Sequence, residues 1–316
     1  MNILVFGKDG QLGKAFRKLL DSMHSEDMHI QYVGRDSCDL SKASALTDLL
    51  HQSNPDLIIN AAAYTSVDKA ETELDLAFAI NAKAPELMAR YALEHGSTLL
   101  HYSTDYVFDG TKSGRYVETD VRNPLSVYGK SKAAGEEAIE AMFANSTQGQ
   151  YAIFRTSWVY GEGSNFIRTI LRLAKEREEL KVIADQYGVP TNAQWLARVS
   201  LDLILDDHLK LRKFASGIYH AVPAGETSWH GLAMHATQAA IHTGVTLKAA
   251  PNAIKPIPAT EYPLPAPRPA NSRMDTGKLC KAIESTGDMS KLQHCKHFWD
   301  SEVEAYVAQL VGDGLI

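Results

Sequence analysis

A doubly wound α/β fold with a parallel sheet is predicted by two observations on this sequence. Short apolar runs show little polar alternation, and segments with apolar residues at helical spacing lie between them. A strand covered on both faces has no solvent side to alternate toward, and parallel neighbours need a crossover of helix length. In order, the first run is ILVF at residues 3–6, followed over 11–20 by Leu12, Phe16, Leu19 and Leu20 at helical spacing. A strand at 29–33, a helix at 42–50 and the run LIINA at 57–61 come next. Then follow a helix at 81–94, the run LLHYS at 99–103, a helix at 128–143 and a strand at 152–155.

After about residue 160 the texture changes. Helices are predicted at 166–178 and 194–205 and short strands at 181–183 and 217–220, while residues 251–269 hold seven prolines. Proline-rich stretches serve as linkers or as ordered loops. Tyr262, Arg268 and Arg273 favour an ordered loop lining a cleft. The expected organisation is a nucleotide-binding Rossmann region over 1–160 and a mainly substrate-binding region over 161–316, with some elements returning to the main sheet.

Composition narrows the class. A chain of 316 residues, 45% hydrophobic and 22% charged, can bury a full core in one large domain or two intimately packed ones. A net charge of −6 argues against a nucleic-acid or anionic-membrane surface. Cys38, Cys280 and Cys295 are odd in number and widely spaced, so three reduced thiols are expected. The opening MNILVFGKDG has no charged segment before its apolar run, and no run reaches the length of a membrane span, so a cytoplasmic protein is expected.

Gly7, Gly10 and Gly13 form G-x-x-G-x-x-G between the first strand and the first helix. Glycines there allow a tight turn and let a pyrophosphate approach backbone N–H groups at a helix start. Gln11 and Leu12 ride on the same turn. After strand two, Arg35 and Asp36 compete to read the adenosine ribose. An arginine there suits a 2′-phosphate and a carboxylate suits a 2′-hydroxyl, so Arg35, coming first, favours NADPH, with NADH possible. Asp39, Leu40 and the turn Ala61, Ala62, Ala63, Tyr64 stand where the rest of the dinucleotide should lie. Parallel sheets bind ligands beyond the carboxyl ends of their strands, which brings Ser103, Thr104 and Asp105 to the same crevice. Tyr128 and Lys132, four apart, share one helix face. A free phenol has a pKa of about 10, and a nearby ammonium is expected to lower it into a usable range for a proton donor.

Together the glycine turn, the alanine turn, STDYVF and YGKSK resemble the extended short-chain dehydrogenase/reductases. NAAAYTSVDKAE, HYSTDYVFDG, FRTSWVYG, DQYGVPT and RPANSR closely resemble the dTDP-4-dehydrorhamnose reductase family within them, over residues 1–273. The resemblance implies NAD(P)H-dependent reduction of the C4 ketone of dTDP-4-dehydro-6-deoxy-L-mannose, a step of nucleotide-sugar supply for cell-surface polysaccharide. It implies Tyr128 as proton donor, Lys132 as its partner and ribose contact, and Thr104 polarising the carbonyl. Asp105 and Trp158 would meet the sugar nucleotide, with Gln186, Arg268 and Arg273 toward its nucleotide end. Some members bind Mg²⁺ between subunits through glutamates whose places hold Ala15 and Gln194 here, so no metal and a monomer or metal-independent homodimer are expected. The alternatives are a reductase of a related 4-ketosugar and a non-catalytic regulatory subunit, such as the beta subunit of methionine adenosyltransferase. A dehydratase of the same superfamily would place Asp-Glu after the threonine, where this chain has Asp105-Tyr106.

Overall fold

The computed structural model describes residues 1–23 and 27–316. Its main sheet contains β1 (Asn2–Phe6), β2 (His29–Val33), β3 (Leu57–Asn60), β4 (Thr98–Thr104) and β5 (Gln150–Thr156). Shorter strands follow: β6 (Val159–Tyr160), β7 (Leu180–Ile183), β8 (Tyr187–Gly188), β9 (Thr191–Asn192), β10 (Gly217–His220), β11 (Thr227–Ser228) and β12 (Ile254–Ile257). The helices of the first half are α1 (Gln11–Ser22), α2 (Ala43–Ser53), α3 (Val67–Ala70), α4 (Leu74–Phe78), α5 (Ala84–His95) and α6 (Val127–Phe143). A π-helical turn, Ala79–Lys83, leads into α5. Those of the second half are α7 (Phe166–Glu176), α8 (Ala193–Ile204), α9 (Trp229–His242), α10 (Gly277–Glu284), α11 (Met289–Cys295) and α12 (Trp299–Gly312).

The described residues form a six-stranded sheet in the order β10-β5-β4-β3-β1-β2, with parallel pairing throughout. From β1 the chain moves one way to β2 and then returns past β1 to β3. The order therefore reverses between β1 and β3, and a crevice opens at their carboxyl ends. Both sheet faces are covered. Ile3 and Val5 of β1 pack with Phe16 and Leu20 of α1 and Leu196 and Val199 of α8. Leu4 and Phe6, pointing the other way, pack with Leu46 and Leu50 of α2, Met88 of α5 and Ile139 of α6. This two-sided burial is why β1 reads as an unbroken apolar run.

Residues beyond 160 join this core and add a second one. β10 extends the main sheet beside β5, and α8 packs on α1. Apart from it, α7, α9 and α12 bury Ile167, Leu171, Leu232, Ala236, Val303 and Val307 against one another. The helices α9 to α12 escape the sequence reading. In α9, for instance, alanines and a central Thr237 blur the apolar stripe, although Ala233, Ala236, Thr237 and Ala240 are fully buried. The proline-rich segment is built into the structure. Its residues Ile254–Ile257 pair in parallel with β7, and Arg268 ties its end to α3.

One expectation is corrected here. Cys280 and Cys295 form a disulfide between α10 and α11, Cα atoms 5.9 Å apart, and Cys38 is the free cysteine among the described residues. The fifteen-residue spacing carries no motif, and folding of two short helices against each other brings the pair together. Among the described residues no helix is long and apolar enough to cross a membrane.

Candidate active site

The crevice at the carboxyl ends of β1 and β3 is a cleft of about 700 Å³. Gly7, Gly10, Gln11, Leu12, Arg35, Asp39, Leu40, Ala61, Ala62, Ala63, Tyr64, Ser103, Tyr128 and Lys132 all line it. Gly13 stands outside the lining and acts by packing, since a Cβ there would meet the Gly7 carbonyl oxygen at 2.0 Å. Gly7 itself, at φ 88°, lies so close to the β3 turn that a Cβ would meet Ala61 and Ala62 backbone at 2.8 Å. The two loops that flank the topological switch can approach this closely because residue 7 is a glycine.

The start of α1, like those of α2 and α10, has neither a side-chain cap nor an acidic first turn, and among these three it is the one that opens on the cleft. Gly10 offers no side-chain cap and the first turn has no acidic residue. By contrast α6, α7, α8 and α9 are capped by Ser126, Asn165, Asn192 and Ser228. The N–H groups and positive dipole end of α1 thus face the cleft without a protein acceptor, which suits a pyrophosphate. Gln11 Oε1 and Thr156 Oγ1, both lining the cleft, are buried without a partner among the described residues. Unpaired buried oxygens cost free energy unless a ligand or water meets them. The residues present fit a dinucleotide. At the adenosine end, Asp36 is held by Lys8 at 2.9 Å, and that contact keeps its carboxyl below the usual range. Asp39 accepts from the Ser41 backbone N–H and hydroxyl. Arg35 is exposed at the cleft wall, where its charge adds to the Ser41 hydrogen bonds in holding the Asp39 carboxyl below the usual range and where a guanidinium suits a phosphate.

Tyr128 and Lys132 stand on the first turns of α6, started by the Ser126 cap. Burial pushes the Tyr128 phenol up to about 12; a hydrogen bond with Thr104 opposes the shift and the charge of Asp105 adds to it. This corrects the expectation that Lys132 lowers that pKa. The Lys132 amine is turned away, donating to the Tyr102 carbonyl at 2.5 Å and lying 3.3 Å from His101 Nε2. Burial brings Lys132 down to about 8, with Glu136 pulling it up. Thr104 is also differently engaged than expected. Its hydroxyl donates to Asp105 Oδ1 at 2.9 Å and accepts from the Tyr106 N–H at 3.2 Å.

Asp105 is 2% exposed, so it is a buried support for Thr104 and presents no free surface to a ligand. Burial raises its carboxyl to about 6, while hydrogen bonds from Ser272 and Thr104 lower it. Ser272 belongs to RPANSR, whose backbone N–H donates to the Tyr187 carbonyl, so the C-terminal segment reaches the threonine through one serine. Trp158, at φ 49°, stacks on Trp229 with ring centroids 3.7 Å apart, and Phe166 packs on Trp229 in turn. Gln186 is buried beside Tyr187. Arg268 makes a two-pronged ion pair with Asp68, both contacts at 2.9 Å. Arg273 donates to Asn271, Glu226 and the Ser113 carbonyl. Both arginines are thus tied to protein partners, and neither lines the cleft.

Ala15 is buried under α8, and Gln194 is exposed with its N–H capped by Asn192. Several residues around the site escape the sequence reading. Asn60 and His101 are register partners on β3 and β4, fully buried, with Asn60 Nδ2 3.0 Å from His101 Nδ1. Glu136, one turn beyond Lys132, is fully buried in a bidentate pair with Arg155 and also meets Arg122. A polar residue closing an apolar run, as in LIIN and LLHYS, was the available signal.

Fold and site together define a class, a Rossmann oxidoreductase of the extended short-chain dehydrogenase/reductase kind, with tyrosine and lysine one helical turn apart behind a glycine-turn cleft. Comparison with known proteins narrows this. Residues 1–302 match the family described as RmlD substrate binding domain, and the chain belongs to that family. It is 44% identical over 285 residues to the dTDP-4-dehydrorhamnose reductase of Escherichia coli (strain K12), covering 88% of this chain and 91% of that protein. Two similar crystal structures are dTDP-4-dehydrorhamnose reductases. That of Clostridium acetobutylicum has a TM-score of 0.83 at 32% identity, covering 98% of this chain and all of that one (100%). That of Bacillus anthracis, in complex with NADP, has a TM-score of 0.82 at 32% identity, covering 97% of this chain and 98% of that one.

Proposed function

We propose that the protein reduces the C4 ketone of dTDP-4-dehydro-6-deoxy-L-mannose to dTDP-L-rhamnose with NADPH. The observation that carries the reading is the part-buried Tyr128, beside Thr104 and one helical turn from Lys132, at the wall of a cleft built for a dinucleotide. The relatives named above, similar over nearly the whole chain, support the substrate. Bound in this cleft, NADPH supplies the hydride.

The chain's own residues supply the rest. Tyr128 gives its proton to the ketone oxygen as that oxygen gains charge. A phenol near 12 stays protonated across the physiological range, as a donor in the reducing direction must. Thr104, oriented by Asp105 and Ser272, holds the hydroxyl in place. Lys132, its amine held by the Tyr102 carbonyl and beside His101, lines the cleft one turn beyond Tyr128. Gly7, Gly10 and the open start of α1 receive the pyrophosphate, with Gly13 keeping the helix close. Gln11, Leu12, Asp39, Leu40, the Ala61–Ala63 turn, Tyr64 and Ser103 form the walls, and Arg35 takes the 2′-phosphate. Trp158, with Trp229 behind it, offers a flat face for the sugar nucleotide. Gln186, Arg268 and Arg273 flank that side, and Arg268 reaches a ligand only by leaving Asp68. Assembly is monomeric or through a metal-free dimer, in the cytoplasm.

The test is turnover of the ketosugar by purified protein, followed by NADPH absorbance and identification of the sugar. One NADPH consumed per dTDP-L-rhamnose formed is expected. Absence of NADPH oxidation, or formation of the C4 epimer, overturns the assignment.

A further inference from the structure

Lys132 meets a buried chain of polar groups that the reading above leaves unused. Its Nζ donates to the Tyr102 carbonyl and lies 3.3 Å from His101 Nε2, and the other ring nitrogen of His101 lies against Asn60. Asn60 Oδ1 in turn accepts from the Ala62 N–H, in the turn that lines the cleft. All three side chains are 0–1% exposed, so Asn60 and His101 pair within the chain, while Lys132 also borders the cleft.

The proton arithmetic of this chain is restrictive. His101 is neutral, since burial and the neighbouring Lys132 hold its pKa well below the ordinary value. A neutral imidazole donates from one nitrogen and accepts at the other. With Asn60 Oδ1 on Ala62, the Asn60 NH₂ donates to Nδ1, so the ring hydrogen sits on Nε2 and points at Nζ. Lys132 must then offer a lone pair, as a neutral amine. If the Asn60 amide turns over, its oxygen accepts from Nδ1–H, Nε2 becomes an acceptor, and the Lys132 ammonium donates to it. The two arrangements differ by one proton released from Nζ, by the ring hydrogen moving between Nδ1 and Nε2, and by a half-turn of one amide. Each satisfies the contacts to the ring and to Nζ, and the second gives up the bond that Asn60 Oδ1 accepts from the Ala62 N–H.

We propose that His101, held by Asn60, is a positioning residue for Lys132 that fixes its amine and accommodates it in both the charged and the neutral form. The inference rests on the reductase reading, because it concerns the lysine of that site. The other groups facing Lys132 are few. Tyr128 and Glu136 lie on its own helix, Glu136 being neutralised by Arg155 of β5 and by Arg122. The π-helical turn contributes the uncharged Asn81, which bonds Ser131. His101 and the Tyr102 carbonyl come from β4. Burial lowers the pKa of Lys132 and Glu136 raises it, and the His101 nitrogen that carries the ring hydrogen decides whether the ring meets an ammonium or an amine.

Two variants move this balance in opposite directions. In Asn60→Asp the carboxylate fixes the hydrogen on Nδ1 and keeps Nε2 an acceptor, favouring the ammonium. In His101→Phe the acceptor is lost, favouring the amine. The alkaline limb of kcat should rise in the first and fall in the second, each by about one pH unit, the scale of one hydrogen bond to a charged group. A direct reading comes from ¹⁵N NMR of histidine-labelled protein. The His101 ring of the unsubstituted protein should carry its hydrogen on Nδ1 at about pH 6 and on Nε2 at about pH 10, following the titration of Lys132. In Asn60→Asp and in Lys132→Met that change should vanish. A tautomer that ignores pH overturns the two-state chain, and limbs unmoved in the variants overturn the positioning role. Should His101→Phe fail to fold, Asn60→Asp and the spectra of the unsubstituted protein decide alone. Absence of turnover would remove the reductase reading, while the NMR arm still tests the His101–Lys132 link.

Discussion

Tyr128 and Lys132 share one face of α6 yet answer to different neighbours, the phenol to Thr104 and the amine to Tyr102 and His101. Tyr128→Phe removes the proton donor and little else, so kcat should fall by about 10²–10⁴-fold, the usual range for general acid catalysis. NADPH affinity, read by fluorescence titration, should hardly change, and a variant keeping a third of the rate would remove Tyr128 from this role. Arg35→Ala should weaken NADPH binding by about 1.5–3 kcal/mol, the worth of a hydrogen bond to a charged group, and leave NADH unchanged. Equal losses for both cofactors would mean that Arg35 does not read the phosphate. Asp105 carries a pH signature. Its folded pKa of about 6 lies above the unfolded value, so its contribution to stability is complete below about pH 4 and is lost as pH rises through 6. Denaturant unfolding of wild type and Asp105→Asn across that window should diverge by about 2–3 kcal/mol, and parallel curves would contradict the burial of an ionisable carboxyl.

At the scale of elements, the cleft depends on how closely α1 approaches the loop after β1. Gly13 makes that approach possible, because its missing Cβ would stand 2.0 Å from the Gly7 carbonyl oxygen. Gly13→Ala should therefore push the start of α1 outward, costing about 1–3 kcal/mol of stability from overpacking. NADPH binding should suffer far more than thermal stability, since the N–H groups of that first turn are aimed at the pyrophosphate. An alanine variant with unchanged NADPH affinity would show that the helix start can shift without moving its N–H groups. α6 is anchored differently. Glu136 pins it to β5 through Arg155, and this pairing holds Tyr128 and Lys132 at a fixed height above the strand ends.

Across the whole molecule, β10 and α8 weave the second half into the first, and the proline-rich segment closes back onto α3 through Arg268 and Asp68. Assembly follows from two positions on this scaffold. An intersubunit Mg²⁺ needs converging carboxylates, and Ala15 and Gln194 supply none. Mass in solution and turnover should both be indifferent to EDTA, measured by light scattering and NADPH oxidation with and without chelator. A dimer that falls apart on chelation and returns with Mg²⁺ would show that other carboxylates hold the ion.

The sequence by itself determined the parallel sheet, because a strand such as β1 that buries Ile3, Val5, Leu4 and Phe6 on opposite faces cannot alternate. It also determined most of the cleft wall, because a glycine turn and a lysine one helical turn from a tyrosine are local patterns whose geometry follows from the chain alone. Tertiary structure decided what each side chain does with its hydrogen bonds. Lys132 turns to Tyr102 and His101, Thr104 to Asp105, and Arg268 to Asp68, partners from 1 to 200 residues away in the chain. It also joined Cys280 to Cys295 and gave Asn60 and His101 their shared burial. Such choices depend on which atoms remain unpaired once water has been excluded, and only the packed chain settles that.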